Sequence, residues 1–197
     1  MSVLVLASGS ASRARMLRAA GVTFTAAPAG LDEARLMASM AGADGSTVAL
    51  ALAQAKALAA PGIHGPDSLV LGADTVIAWD GKILGKCPDM AAARALLEQM
   101  SGRAHRLVSA AVLARAGQVV WRHAGLATLT VRPFSPAFLD AYLAAEGEAI
   151  LSSVGCYRYE GLGAQLFDRV EGDYFCVLGL PLLPLLAALR REGVIAS

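Results

Sequence analysis

The stretch VLVLASGSASR, residues 3–13, decides the fold at its start, because an apolar strand passes through a loop of small residues into a helix. The pattern predicts a helix from about Ser12 to Ala20 that ends at Gly21, since glycine readily adopts the left-handed conformation that follows a helix. The N–H groups at the start of such a helix can bind anions, and Gly9 lets the backbone approach a ligand closely. The stretch therefore predicts an anion site between the first strand and the first helix.

Arg13 is the residue in this stretch that helix stability does not explain. A cation in the first helical turn opposes the helix dipole and costs about 0.3 kcal/mol or more, whereas a bound phosphate would reverse that effect. The alternative is an ordinary turn from strand to helix, in which Ser10 or Ser12 caps the helix and Arg13 is solvated. Both interpretations are compatible with these residues.

The composition favours a globular protein that binds any charged ligand locally. The 197 residues are 56% hydrophobic, which is enough for a sizeable core, and the net charge of +1 argues against nucleic acid or an acidic membrane as partner. The N-terminus lacks a charged segment followed by a long apolar stretch. The apolar run Val177–Leu189 is shorter than the roughly 18 to 20 residues of a membrane helix. We therefore expect no signal peptide, no membrane span and no nucleic-acid partner.

The three cysteines, Cys87, Cys156 and Cys176, are widely spaced and form no CxxC pair. This usage is typical of a reduced, cytoplasmic protein without structural zinc. Nothing around Cys87 indicates nucleophilic catalysis.

The rest of the chain mixes helical and strand patterns without a repeat or a linker, which predicts one α/β domain over residues 1–197 with a mixed, twisted sheet. Helices are predicted from Asp32 to Ala41, from an N-cap at Ser46 to Ala59 before Pro61-Gly62, from Pro88-Asp89 to Ser101, from Ser135-Pro136 to Gly147, and within Val177–Leu189. Strands are predicted at Leu69–Ala73, on both sides of an Asp80-Gly81 hairpin turn, and at Arg106–Ala114, Val119–Val131, Ala164–Val170 and Tyr174–Leu178.

Asp74 follows a run of apolar strand residues, where a carboxylate is costly unless it is paired or coordinates a cation. If Asp80-Gly81 is a two-residue turn, the hairpin register places Thr75 opposite Lys86 and so returns Lys86 to the neighbourhood of Asp74. An acid and an ammonium beside an anion site suit metal-assisted attack on a phosphoryl group. The alternative is an ordinary ion pair at the end of a hairpin.

Two further charged residues are open to two interpretations each. Lys56 lies in an otherwise apolar helix, where it could serve the same site or extend its ammonium to water. Glu33 could be a metal ligand or an acidic residue in a first helical turn.

Several segments taken together resemble the Maf nucleotide pyrophosphatases, and the resemblance covers nearly the whole chain. The segments are residues 6–13, 52–57, 72–76, 85–86, 101–105, 161–163 and 177–182. The chain departs from the family pattern in two places. The usual Pro-Arg-Arg after the second serine is Ala11-Ser12-Arg13, and Cys87 stands where the family has proline after Gly85-Lys86.

The resemblance implies an elongated α/β fold, with a mixed, twisted sheet flanked by helices and a nucleotide-binding cleft, in a protein that forms homodimers. It implies hydrolysis of a nucleoside triphosphate to the monophosphate and pyrophosphate with a divalent cation. A site without clustered His and Cys suits Mg²⁺ or Mn²⁺.

The resemblance also assigns roles to particular side chains. It implies that the phosphates bind at Ser8, Ser10 and Arg13, that the cation is held by Glu33 and Asp74, and that Lys56 and Lys86 neutralise charge on the polyphosphate. Asp74 would accept a proton from the attacking water or orient that water through the cation.

Three positions bear on the choice of base, namely Ser12, Thr75 and Glu160. In the family branch selective for dTTP and UTP these positions carry arginine, threonine and glutamine, and in the 7-methyl-GTP branch tryptophan, glutamine and glutamate. The ionised Glu160 accepts hydrogen bonds, which favours a guanine edge with its N1–H and N2–H₂ donors. We expect a nucleoside triphosphate pyrophosphatase that is broad in its choice of base or tolerates a modified purine such as 7-methyl-GTP. The alternatives are a dTTP- and UTP-selective enzyme and a nucleotide-binding regulator of cell division with incidental turnover.

Overall fold

The computed structural model describes residues 3–59, 65 and 67–196, and the elements in them alternate between strands and helices. The strands are β1 (Leu4–Leu6), β2 (Thr25–Ala26), β3 (Leu69–Trp79), β4 (Lys82–Leu84), β5 (Ala104–Arg115), β6 (Gln118–Val131) and β7 (Phe167–Gly172). The α-helices are α1 (Ala11–Ala19), α2 (Glu33–Ala38), α3 (Gly45–Ala59), α4 (Met90–Met100), α5 (Pro136–Glu146), α6 (Tyr174–Val177) and α7 (Leu182–Arg191), and two 3₁₀ segments span Gly147–Ser152 and Leu162–Leu166.

The strands form one mixed sheet in the order β2-β1-β3-β5-β6-β7, with β4 paired to the outer part of β3. β1 runs parallel to β2 and β3, and the other pairs are antiparallel. The predicted α/β class with a mixed sheet is therefore confirmed. β3 and β5 are apolar on both faces because helices cover the centre of the sheet on both sides.

Helix α3 packs directly on the central strand β3, which places its last turn over the middle of the sheet. Gly72 of β3 permits this contact, because a Cβ there would lie 2.0 Å from the carbonyl oxygen of Ala53. On the other side, residues of α1 and α7, among them Leu17 and Leu185, pack with Leu71 of β3. The ends of α1 and α3 are thus held at fixed positions beside β3.

Local signals predicted the starts of α1, α2, α4 and α5 well, but not the start of α3. Ser10, Asp32, Asp89 and Ser135 cap helices through their side chains. The predicted N-cap at Ser46 is wrong. The Asp44 carboxylate instead accepts hydrogen bonds from the N–H groups of Ser46 and Thr47, so the cap lies two residues earlier and α3 begins at Gly45.

The hairpin between β3 and β4 has the predicted two-residue turn, with both Asp80 and Gly81 at positive φ and Trp79 opposite Lys82. The extension of this ladder to Lys86 is wrong. Pairing stops at Ile77 and Leu84, and the chain then leaves the sheet so that Gly85 lies beside the Met37 side chain of α2.

The C-terminal third departs from the strand prediction. Tyr174–Leu178 is rich in residues that favour strands, yet it forms the short helix α6, because the Asp173 carboxylate accepts a hydrogen bond from the N–H of Phe175. The apolar run Val177–Leu189 is not one helix. It turns at Gly179, whose φ is +99°, and continues as α7 from Leu182.

Two smaller differences concern element lengths. The helix predicted over Asp32–Ala41 spans only Glu33–Ala38, and β7 begins at Phe167, after a 3₁₀ segment, instead of at Ala164. The helix stop predicted at Pro61-Gly62 lies outside the described residues. No helix in the described part of the chain is long and apolar enough to cross a membrane.

Candidate functional site

A buried ion pair lies at the centre of the site, where α3 crosses β3. Asp74, in the middle of β3, and Lys56, in the last turn of α3, are 5% and 7% exposed, and the Lys56 ammonium is hydrogen-bonded to the Asp74 carboxylate. The same ammonium lies 2.8 Å from Oε1 of Glu33, whose side chain is 45% exposed. Lys56 therefore does not extend to water, and two carboxylates from different elements converge on one nitrogen.

The charge environment makes Asp74 an unusual carboxyl group. Burial raises its pKa, and the opposing effects of Lys56 and Arg13 do not cancel that rise, while the nearby Glu33 adds to it. A carboxylate with a raised pKa is a stronger proton acceptor than an ordinary aspartate. The position of Asp74 therefore suits a group that takes a proton from water.

Arg13 is buried and its guanidinium is held by three acceptors. Nε donates to the carbonyl oxygen of Gly179 (2.8 Å), Nη1 donates to Oγ of Ser8 (3.1 Å), and Nη2 donates to Oγ1 of Thr75 (3.1 Å). Burial lowers the Arg13 pKa, an effect that Asp74 and Glu33 oppose, and an arginine remains charged in such surroundings. The interpretation of Arg13 as a solvated residue is wrong, although Ser10 does cap the helix, as that interpretation supposed.

The guanidinium keeps donors for a ligand. It has five N–H groups, and the three contacts above use one on each nitrogen. Within residues 3–59, 65 and 67–196 no further acceptor is bonded to it. One N–H on each terminal nitrogen thus has no acceptor among the described residues.

Sequence reasoning missed Ser109, which connects the site to α6. Ser109 on β5 is fully buried, its Oγ lies 2.9 Å from Oγ1 of Thr75, and it donates to the carbonyl oxygen of Cys176 at 2.7 Å. A lone hydroxyl in the apolar run of β5 was the signal that could have found it. The Gly179 carbonyl had no such signal, because only the fold brings it to Arg13.

The remaining predicted residues lie around this centre. Ser12 donates to the carbonyl oxygen of Leu178 at 3.1 Å, and Glu160 forms an ion pair with Arg15 of α1. Lys86 is exposed, and in the described residues the partner of Asp74 is Lys56, not Lys86.

A divalent cation fits the donors that are present. Among the described residues, no group of three His, Cys, Asp or Glu side chains could hold a metal ion. Glu33 and Asp74 supply two converging carboxylates, and Mg²⁺ is often bound by one or two carboxylates that are completed by substrate phosphates and water. The site thus suits a cation that arrives with a polyphosphate.

Comparison with known proteins gives consistent results along the chain. Residues 3–192 match the model of the family described as Maf-like protein. The chain is 51% identical to a nucleoside triphosphate pyrophosphatase of Maricaulis maris, with 99% of each chain covered. It is 48% identical to a nucleoside triphosphate pyrophosphatase of Granulibacter bethesdensis, with 96% of each covered. It is also 47% identical to a 7-methyl-GTP pyrophosphatase of Mesorhizobium japonicum, with 98% of this chain and 97% of the relative covered.

Proposed function

The chain belongs to the Maf-like protein family, which confirms the resemblance seen in its sequence, and from that premise we propose that it is a metal-dependent nucleoside triphosphate pyrophosphatase. The reaction splits a nucleoside triphosphate into the monophosphate and pyrophosphate. The relatives named as nucleoside triphosphate pyrophosphatases match almost the full length of the chain, which supports this reaction class.

One observation carries the proposal at the level of chemistry. Asp74 and Lys56 are buried together, and Arg13 is buried close enough to act on the charge of Asp74. Burying three charged groups is expensive, so their burial is better explained by a task than by stability. Transfer of a phosphoryl group from a polyphosphate needs such positioning and charge neutralisation more than it needs covalent chemistry.

Each side chain of the site has its own role in the proposed reaction. The open N–H groups of Arg13, with the Ser8 and Ser10 loop, bind phosphate oxygens, and the Lys56 ammonium offsets charge on the departing pyrophosphate. Asp74 accepts a proton from the attacking water, whose oxygen bonds to phosphorus as the bond to the bridging oxygen breaks. The electron pair of that bond leaves with pyrophosphate. Lys86 lies on the exposed segment after β4 and contacts the polyphosphate from the solvent side of the site.

Glu33 and Asp74 would hold the divalent cation, Mg²⁺ or Mn²⁺. When bound, the cation neutralises polyphosphate charge and lowers the pKa of a coordinated water. Glu33 contributes the more exposed of the two carboxylates, so it meets the metal–nucleotide complex first.

We propose guanine, and 7-methylguanine in particular, as the preferred base. The carboxylate of Glu160 can accept hydrogen bonds from N1–H and N2–H₂ of guanine, and methylation at N7 places a positive charge on the ring that an acidic residue favours. The relative named 7-methyl-GTP pyrophosphatase agrees with this choice. Thr75 affects the choice of base only indirectly, because its hydroxyl is already hydrogen-bonded to Arg13 and Ser109.

The deciding experiment measures pyrophosphate release from dTTP, UTP, CTP, GTP and 7-methyl-GTP, with Mg²⁺ or Mn²⁺ and then with a chelator. We expect metal-dependent release that is fastest from 7-methyl-GTP. Faster release from dTTP and UTP would replace the guanine assignment with the pyrimidine alternative. Nucleotide binding without release from any of them would indicate a regulator and contradict the proposed reaction.

Two predictions about the protein as a whole accompany this function. We propose that it forms a homodimer and works in the cytoplasm, where its nucleotide substrates are. Light scattering of the purified protein and fractionation of cells test the two statements separately.

A further inference from the structure

Two hydroxyl groups connect Arg13 to the C-terminal end of α6. Thr75 on β3 and Ser109 on β5 lie opposite each other in the sheet, and their side-chain oxygens are 2.9 Å apart. Ser109 is fully buried in an otherwise apolar part of β5. A hydroxyl at such a position costs free energy unless it is hydrogen-bonded, so Ser109 is better explained by its partners than by packing.

The number of available protons fixes the direction of each hydrogen bond. A serine hydroxyl has one proton, and Ser109 donates it at 2.7 Å to the carbonyl oxygen of Cys176, which can only accept. Thr75 is therefore the donor in its contact with Ser109. A more distant acceptor for Thr75, the carbonyl oxygen of Gly179 at 3.4 Å, already receives the Nε–H of Arg13 at 2.8 Å.

With its proton given to Ser109, Thr75 presents a lone pair to Arg13. Nη2 of the guanidinium donates to Oγ1 of Thr75 at 3.1 Å, so three hydrogen bonds run in one direction from Arg13 to the carbonyl of Cys176. Hydrogen bonds aligned in this way polarise one another, and the charge of the guanidinium strengthens the first of them. Without Ser109, the Thr75 proton would compete with Arg13 for the carbonyl of Gly179.

The end of α6 and the turn after it receive all of these donors. Three carbonyl oxygens within residues 176–179 accept side-chain hydrogen bonds, from Ser109, Ser12 and Arg13 in chain order of the acceptors. The last carbonyls of a helix lack partners within the helix, which leaves them free for this use. Ser109 and Arg13 thus bind the same turn, and Thr75 connects them directly.

We propose that Ser109 is a positioning residue for phosphate binding, which takes the proton of the Thr75 hydroxyl and thereby holds the Arg13 guanidinium in the orientation that binds a phosphate oxygen. This role rests on the proposed function, because that function assigns the phosphate to Arg13. The effect of Ser109 falls on the binding of the polyphosphate and not on proton transfer, since Asp74 is hydrogen-bonded to Lys56 instead.

The test compares Ser109→Ala with Ser68→Ala, a matched change outside the site. Ser68 is also buried, and its hydroxyl also donates to a backbone carbonyl oxygen, that of Gly65 at 2.8 Å. Titration calorimetry measures the Kd of inorganic pyrophosphate in the presence of Mg²⁺, and steady-state kinetics gives KM and kcat for the preferred nucleotide.

We expect Ser109→Ala to raise both Kd and KM at least about threefold and to leave kcat within about twofold, because a hydrogen bond to a charged group is weakened. Ser68→Ala should leave all three values unchanged. An unchanged Kd in Ser109→Ala, a fall in kcat alone, or an equal rise in Kd in Ser68→Ala would overturn the role of Ser109.

A double variant shows whether Ser109 acts through Thr75. Thr75→Val removes the connecting hydroxyl and keeps the shape of the side chain. Adding Ser109→Ala to Thr75→Val should change the Kd of pyrophosphate by less than about 1.5-fold, whereas independent effects would multiply and overturn the proposal. A wild-type protein that binds pyrophosphate but releases none from any nucleotide would contradict the proposed function and leave this comparison standing.

A measurement on the wild-type protein does not depend on whether Ser109→Ala folds. Buried hydroxyl protons in hydrogen bonds exchange slowly with water and become visible in proton NMR spectra. We expect a slowly exchanging Thr75 hydroxyl proton with a nuclear Overhauser contact to the β-protons of Ser109, and no such signal from the exposed Thr23. A Thr75 hydroxyl proton that exchanges as fast as that of Thr23 would overturn the proposed direction of the hydrogen bonds.

Discussion

Lys56 and Asp74 form a buried ion pair between α3 and β3, and Glu33 shares the same ammonium from its exposed side. Lys56 and Arg13 both act on the charge of the buried Asp74 carboxylate. In the proposed reaction, Lys56 would turn from these carboxylates to phosphate oxygens when the nucleotide binds. We expect this exchange to release the Asp74 carboxylate for proton transfer.

Asp74→Asn keeps the shape of the side chain and removes its charge and basicity. We expect kcat to fall at least about a hundredfold, which is the usual contribution of a positioned proton acceptor. The variant should remain folded by circular dichroism, because Glu33 still pairs with Lys56. Asp67→Asn, at an exposed position outside the site, is the control. Undiminished activity of Asp74→Asn would contradict the mechanism.

Arg13→Lys keeps the positive charge but cannot reproduce the contacts with Ser8, Thr75 and Gly179. Losing two of these three hydrogen bonds should lower the free energy of unfolding by about 2 kcal/mol, and the loss of its open N–H groups should raise KM for the nucleotide. Urea unfolding and steady-state kinetics measure the two effects. Arg18→Lys, an exposed change on the same helix, should leave both values near the wild type. An unchanged KM in Arg13→Lys would remove Arg13 from phosphate binding.

Glu33→Gln tests the cation site without disturbing the core, because this carboxylate is partly exposed. We expect the Mg²⁺ concentration for half-maximal activity to rise at least about tenfold, since loss of a residue that only supports a metal ligand already changes metal affinity by about ten- to a hundredfold. Titrating Mg²⁺ at saturating nucleotide gives the value. Glu98→Gln on α4 serves as the comparison, and an equal metal requirement in the two variants would argue against a role for Glu33.

Glu160→Gln should reduce the preference for 7-methyl-GTP over UTP by about tenfold in the ratio of kcat/KM. Its amide nitrogen donates where the guanine edge also donates, and it carries no charge for the methylated ring. Because Arg15 pairs with Glu160, Arg15→Gln should shift the ratio in the opposite direction. A ratio that moves in neither variant would place base recognition elsewhere.

His105 predicts a pH dependence of stability. It is 2% exposed, its Nε2 lies 2.7 Å from the hydroxyl of Tyr157, and burial lowers its pKa to about 4. The unfolded chain binds a proton at this residue below about pH 6.5, whereas the folded chain resists protonation down to about pH 4. The stability that this histidine supports is therefore present above about pH 6.5 and is lost as the pH falls toward about 4.

The total loss over that window should be about 3 kcal/mol in the free energy of unfolding. Urea unfolding between pH 7 and pH 4 measures it. His105→Gln should give a shallower decline than the wild type, and His123→Gln, at a partly exposed position, should follow the wild-type slope. Parallel slopes for wild type and His105→Gln would show that His105 does not titrate in this way.

The sequence by itself determined the local features of the structure, such as helix caps and turns. The caps at Ser10, Asp89 and Ser135 and the Asp80-Gly81 turn were predictable, because each depends on contacts between residues a few positions apart. The apolar runs also determined the α/β class. Asp74 was recognisable from the sequence because it is a carboxylate that directly follows an apolar run.

Only the tertiary structure decided which residues meet. The hairpin pattern pointed from Asp74 to Lys86, yet packing of α3 on Gly72 brings Lys56 there instead. Arg13 donates a hydrogen bond to the carbonyl oxygen of Gly179, which lies 166 positions away in the sequence. Such contacts depend on how whole elements pack, and the burial free energy of that packing exceeds the preferences of any short stretch, so no local pattern encodes them.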